Sequence, residues 1–146
     1  MLWGSCPATI DNKFRLKIPV KFRRDLPETD NNTYYVTSYD GRCAQIFPIQ
    51  IWEQIAQKLQ APPRMDRSKS KMLKLTSYYG MLSPMDPQGR ILLPQILRED
   101  AKLSGNVIVM AKNDHLEVWN HEIVRQSVKE DGLTDQDWER LAELGI

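Results

Sequence analysis

DNKFRLKIPVKFRRD, residues Asp11 to Asp25, returns without a gap as DPQGRILLPQILRED, residues Asp86 to Asp100. Asp11 matches Asp86, Arg15 matches Arg90, Pro19 matches Pro94, Arg23 matches Arg98 and Asp25 matches Asp100. An Asp followed by polar or Gly residues signals a turn, and Arg-Leu-Lys-Ile and Arg-Ile-Leu-Leu after it have the apolar content of short strands. The proline suits the first position of a helix, where its missing N–H costs nothing, so short helices are predicted over Val20 to Arg24 and Gln95 to Arg98. Each copy is followed by a β-rich stretch. Tyr34 to Ser38 and Ala44 to Phe47 read as a hairpin turned at Tyr39 to Arg42; Val107 to Ala111 and Leu116 to Trp119 read as another, turned at Lys112 to His115. A unit of strand, turn, strand, short helix and hairpin is too small to bury a core alone. Two such units in one chain are expected to close on each other about a pseudo-two-fold axis.

Working outward, Trp52, Ile55, Ala56 and Leu59 keep helical spacing up to Pro62-Pro63, and Met72, Leu75 and Tyr79 do the same within residues 67–79. Thr134 is placed to cap a last, acidic helix carrying Trp138, Leu141 and Leu144. The expected organisation is α+β: a first repeat over residues 5–51, connecting helices over 52–80, a second repeat over 81–124 and an acidic C-terminal helix over 125–146.

The chain has 146 residues, 41% of them apolar and 27% charged, enough for a core and too ordered in composition for global disorder. The longest apolar run, Val107 to Ala111, falls far short of the roughly 20 residues that span a bilayer, and the opening MLWGSCPATIDNK has no secretory pattern. A cytoplasmic address and no membrane partner are expected. Cys6 and Cys43 have neither CxxC nor His-ligand spacing, so they read as reduced thiols, with no metal and no cofactor expected. A net charge of +1 hides a gradient: residues 1–74 carry 13 basic and 7 acidic side chains, residues 114–146 carry 3 and 9. Six cations, Lys13, Arg15, Lys17, Lys21, Arg23 and Arg24, crowd the first copy against Asp11 and Asp25. That density suits a polyanion, and it equally suits a solvated face.

At these residues the sequence resembles the MraZ family of bacterial transcription regulators, built from two tandem SpoVT/AbrB-like units that each carry an Asp-x-x-x-Arg turn. Here the turns are Asp11-Asn12-Lys13-Phe14-Arg15 and Asp86-Pro87-Gln88-Gly89-Arg90. The resemblance runs from the MLWG opening through the Trp52 helix to Trp119 and the acidic tail. It implies a double-split, swapped-hairpin β-barrel, subunits assembled into a homo-oligomeric ring, and binding to short double-stranded DNA repeats at the promoter of a division and cell-wall gene cluster, with repression as the outcome and the nucleoid as the place. Phe14 departs from the family's Gly at this position. Because Phe takes φ > 0 only at a cost of about 1 kcal/mol or more, the first turn is expected to differ in shape from the second.

The candidate DNA contacts are Lys13, Arg15, Lys17, Lys21, Arg23, Arg24 and Arg90, with Asp11, Asp86 and Gly89 shaping the turns. A guanidinium on an exposed turn matches phosphate oxygens or the O6 and N7 acceptors of guanine; the plainer reading of Arg15 is a salt bridge to Asp11 that pins the turn, and the Asp also serves to orient the Arg. Arg90 lies beside Ile91, Leu92 and Leu93 in a charge-balanced segment and is expected to serve structure at least as much as DNA. Lys13, Lys17 and Arg24 face Gln88, Leu92 and Glu99 in the second copy, which suggests that the first copy reads DNA. No enzyme is expected, since no catalytic motif occurs and His115 and His121 read as surface residues. No small-molecule substrate is implied. Trp3, Trp52, Trp119 and Trp138 read as core or interface anchors. The alternative is a self-assembling interaction protein, in which the basic half of one subunit meets the acidic tail of the next.

Overall fold

The computed structural model describes residues 2–29 and 32–146; Met1, Asp30 and Asn31 lie outside the described residues. In chain order the elements are β1 (Ser5–Thr9), β2 (Arg15–Lys17), α1 (Val20–Asp25), β3 (Thr33–Thr37), β4 (Ala44–Pro48), α2 (Ile49–Gln60), α3 (Arg67–Tyr78), β5 (Met81–Pro84), β6 (Arg90–Leu92), α4 (Gln95–Asp100), β7 (Asn106–Ala111), β8 (Leu116–Asn120), α5 (His121–Glu130) and α6 (Asp135–Glu143). The fold is mixed α and β, and both copies of the repeat have the same element order through their hairpins.

The pairing crosses between the copies. One antiparallel sheet has the order β1-β7-β8-β4-β3-β5, and a two-stranded ribbon pairs β2 with β6. The first strand of the first copy therefore pairs with β7 of the second, Ser5 opposite Met110, while β5 of the second copy pairs with β3 of the first, Thr33 opposite Pro84. The two hairpins, β3 with β4 and β7 with β8, meet in the middle through β4 and β8. β4 lies between two strands, and all five of its residues are buried.

One apolar cluster serves both copies. Leu16 and Ile91, Ile18 and Leu93, Phe22 and Leu97, and Leu26 and Ala101 occupy matched positions of the repeat, and all eight are buried in the same core. Full burial of a Leu, Ile or Phe side chain contributes roughly 1.5–3 kcal/mol, so these shared positions tie the two copies into one cooperative unit. Pro19 and Pro94 sit one position before the helices, as N-caps with φ near −55° and −58°, rather than at the first helical position. On α2, Trp52 stacks on Tyr35 at 4.6 Å between ring centroids and also touches Phe47.

Two expectations change. α3 is held chiefly through Thr76, not through Leu75: the Thr76 carbonyl accepts hydrogen bonds from the hydroxyls of Tyr35 (2.9 Å) and Thr37 (2.8 Å), while Leu75 is exposed. Gly80 permits this approach, because a Cβ there would collide with the Tyr35 hydroxyl and the Thr76 carbonyl. The segment 125–146 is not one acidic helix: Asn120 caps α5 through its side-chain oxygen, and Thr134 starts α6 separately with a capping box to Asp137. Of the tryptophans read as core or interface anchors, Trp3 (70% exposed) and Trp138 (58% exposed) lie outside the core of the chain.

The ribbon has a buried and an open face, so substitutions on it should divide sharply. Leu16→Ala is expected to cost about 2–5 kcal/mol in urea unfolding, whereas Leu92→Ala, at 44% exposure one strand away, should cost about 0.5 kcal/mol or less. Similar costs at the two positions would show that the ribbon does not face the core this way.

Candidate nucleic-acid interface

The β2–β6 ribbon places residues of both repeats on one surface. Its register sets Arg15 opposite Leu92, Leu16 opposite Ile91 and Lys17 opposite Arg90. Successive strand residues point to opposite faces, so the buried Leu16 and Ile91 form the inner face, and Arg15, Lys17, Arg90 and Leu92 form the outer one. The two Asp-x-x-x-Arg turns flank this ribbon, one entering each strand.

Both turns are built by the same hydrogen bonds. Asp11 Oδ1 accepts from the backbone N–H groups of Lys13 (2.9 Å) and Arg15 (3.0 Å), and its Oδ2 accepts from Arg15 Nε at 2.9 Å. Asp86 does the same with Gln88 (2.9 Å), Arg90 (2.9 Å) and Arg90 Nε (2.7 Å). Phe14 adopts φ 66° and Gly89 φ 80°. The expectation that Phe14 gives the first turn a different shape is therefore incorrect: the Asp11 hydrogen-bond set outweighs the left-handed cost to Phe. Each ion pair uses only the Nε edge of its guanidinium, and among the described residues the terminal nitrogens of Arg15 and Arg90 make no hydrogen bond. The Asp thus orients the Arg and leaves most of its donors for a ligand.

These contacts move the carboxyl pKa values. Asp11 is held below its ordinary value first by the Arg15 backbone N–H, then by Lys13 and the Arg15 side chain, against partial desolvation. For Asp86 desolvation is the largest single influence and pushes upward, but the hydrogen bonds from Arg90 and Gln88 together leave its pKa lowered.

A second layer of arginines crosses between the copies. Arg98 of the second copy lies with its guanidinium carbon 3.7 Å from the centroid of the Phe14 ring, a cation–π contact. Its counterpart, Arg23 of the first copy, lies over Gly89, where a Cβ would come within 2.5 Å of the guanidinium carbon, and approaches the Gln88 carbonyl at 3.5 Å. Each arginine thus covers the turn of the other copy. The repeat's matched Arg23 and Arg98 were visible in the sequence, but their crossed partners were not.

The remaining candidates separate. Lys13 and Lys17 are exposed beside Arg15, and Arg24 is exposed on α1. Lys21 points elsewhere: its ammonium donates to the Ser5 carbonyl at 2.9 Å, at the end of β1 remote from the turn, and lies over the ring of Phe22. His115 is not a surface residue. Only 15% of its side chain is exposed; it stacks on Phe47 and approaches Asp114 at 2.7 Å. Burial pulls its pKa down most, yet Glu117 and Asp114 together raise it. Cys6 and Cys43 are free thiols, and burial drives the Cys43 thiol far upward, so it is inert as a nucleophile. Among the described residues no group of acidic, His and Cys side chains suits a metal ion, and no helix is long and apolar enough to cross a membrane. Arg64, before α3, and Arg67, Lys71 and Lys74, on it, are further exposed cations.

The family described as "MraZ protein, putative antitoxin-like" matches residues 1–75 and 83–143. Among similar proteins, the "Transcriptional regulator MraZ" of Acidobacterium capsulatum is 43% identical over 146 residues, covering the whole of both chains. That of Koribacter versatilis is 38% identical over 147 residues, again the whole of both. That of Caldanaerobacter subterraneus subsp. tengcongensis is 32% identical over 143 residues, covering 98% of this chain and 95% of its own.

A carboxyl with a lowered folded pKa contributes stability fully above its unfolded value of about 3.9 and loses it as pH falls through the folded value. Carbon-detected titration should place the midpoints of Asp11 and Asp86 below about 3.9. Arg15→Ala should raise the Asp11 midpoint only part of the way back, because the backbone N–H of residue 15 remains its main partner. An unchanged midpoint would mean that the side-chain ion pair does not form.

Proposed function

This chain belongs to the MraZ family, which is one of transcription regulators and not of enzymes, and we propose that it binds promoter DNA through the outer face of the β2–β6 ribbon. The observation that carries this reading is the pair of identical turns, one from each repeat, that hold Arg15 and Arg90 by Nε beside Lys13 and Lys17 on one exposed surface. A two-stranded ribbon fits the major groove of B-DNA, about 12 Å wide, and guanidinium forks with unused terminal nitrogens match guanine O6 and N7 or phosphate oxygens. Lys13 and Lys17 supply phosphate contacts, with Arg24 at the periphery, while Lys21 is held away by the Ser5 carbonyl. Arg23 and Arg98 brace the turns, and Leu92 adds an apolar patch suited to a thymine methyl.

Arg90 takes an equal part with Arg15 in this proposal. The second copy has fewer cations around its turn, yet its Arg–Asp geometry and side-chain exposure match those of the first. The strand exchange between copies favours a closed, swapped-hairpin barrel as the form of the domain. The acting form is a homo-oligomeric ring whose neighbouring subunits engage neighbouring repeats, with each further contact effectively intramolecular. The outcome is repression of a division and cell-wall gene cluster at the cytoplasmic nucleoid. A pure assembly protein would need no DNA, and the free guanidinium donors of two matched turns favour the regulator.

The reading is tested with duplex taken from upstream of the chain's own gene against random duplex of equal length. Specific duplex should bind more tightly across moderate salt; equal binding refutes sequence recognition. Arg15→Ala and Arg90→Ala should each cost about 1–3 kcal/mol, roughly a 5- to 160-fold loss, while Lys13→Ala and Lys17→Ala should weaken all duplexes alike and lower the salt slope by about one each.

A further inference from the structure

The last helix of the chain, α6, buries none of its residues; Trp138, Leu144 and Ile146 are 58%, 56% and 83% exposed. A nine-residue helix is marginal in water even with a capping box, since isolated helices shorter than about 12–15 residues seldom persist, and an amphipathic one draws its stability from burying its apolar face. Its polar side is strongly acidic: residues 130–146 carry Glu130, Asp131, Asp135, Asp137, Glu139 and Glu143 against Arg140 alone.

The same chain offers the opposite surface. Residues 58–74 carry Lys58, Arg64, Arg67, Lys69, Lys71 and Lys74 against Asp66 alone, so six cations to one anion meet six anions to one cation. Along α3 an open groove of about 560 Å³ is lined by Tyr39, Ser68, Lys71, Met72 and Leu75. Its floor is aromatic and aliphatic, and Arg67, Lys71 and Lys74 share the adjoining helical stripe.

We propose that α6 of one copy docks in the α3 groove of a second copy, with Trp138 and Leu141 on the apolar floor and Glu139 and Glu143 facing Lys71 and Lys74. This rests on, and gives a location to, the self-association part of the proposed function. The two surfaces are different patches of one chain, so repetition from copy to copy is a heterologous contact that can close as a ring, whereas reciprocal exchange between two copies stops at a dimer. It also places the acidic helix against α3 and leaves the outer face of the β2–β6 ribbon to DNA.

The test is sedimentation velocity of the full chain at fixed moderate salt. The unaltered chain should sediment as an oligomer. Trp138→Ala, the pair Lys71→Glu with Lys74→Glu, and the pair Glu139→Lys with Glu143→Lys should each shift it to monomer with the melting temperature kept, all of these side chains being exposed or half-exposed. Mixing the two charge-reversed proteins should restore the oligomer, because each supplies the surface that fits the other. The proposal is overturned if the unaltered chain is a monomer, if the variants keep its sedimentation, or if the mixture stays monomeric. An α6 that folds back on its own chain, or serves a different acidic-helix receptor, gives one of those results. Arg15→Ala should leave sedimentation unchanged, so failure here is distinct from failure of the DNA reading.

Discussion

β2 and β6 have three residues each, and each finds its ladder partner in the other. Strands this short have no independent stability, since a lone two-stranded ribbon is marginal even when longer. They persist because Leu16 and Ile91 drive their inner face into a core that both repeats fill. The outer face, with Arg15, Lys17 and Arg90, therefore exists only when both repeats are folded together. This surface and the folding of the chain are linked at the ribbon: a chain that loses the cross-repeat pairing loses the surface as well as the core.

The turns add preorganisation. A free Arg side chain gives up as much as about 2 kcal/mol of rotamer entropy when it is fixed on a ligand. Here Asp11 and Asp86 fix the Nε edge beforehand, and two backbone N–H groups on the other carboxylate oxygen fix the Asp in turn. Arg98 on Phe14 and Arg23 over Gly89 then brace each turn from the opposite copy. Phe14 shows how the balance falls: a left-handed φ costs about 1 kcal/mol or more, and a set of three hydrogen bonds with a cation–π contact is larger.

Local features of this fold were legible in the sequence because local chemistry dictates them. The Asp-to-Arg spacing encodes the turn, the alternating apolar residues of Tyr34 to Thr37 and Leu116 to Val118 encode strands, and Thr134 encodes a cap. Partner choice was not legible, because nothing in the Ser5 to Thr9 sequence says that its partner is β7 rather than β3. The start of α5 and its separation from α6 went unread, because Ile123 and Val124 are β-branched and favour strand; the available signal was Asn120 as an N-cap with Glu122 in the first turn. Of the candidate site, Lys13, Arg15, Lys17 and Arg90 come together at the ribbon, while Lys21 is drawn off by the Ser5 carbonyl, a contact between residues sixteen apart that no local pattern announces.

In the proposed function one DNA-facing surface is assembled from both repeats. It is tested most directly by covalent footprinting: lysines acetylated and arginines modified with a dicarbonyl reagent, with and without the upstream duplex, then located by mass spectrometry. Lys13, Arg15, Lys17 and Arg90 should be protected together by DNA while Arg64, Arg67, Lys71 and Lys74 should stay reactive. Protection of the first repeat with Arg90 left reactive, or protection confined to the α3 stripe, would contradict it.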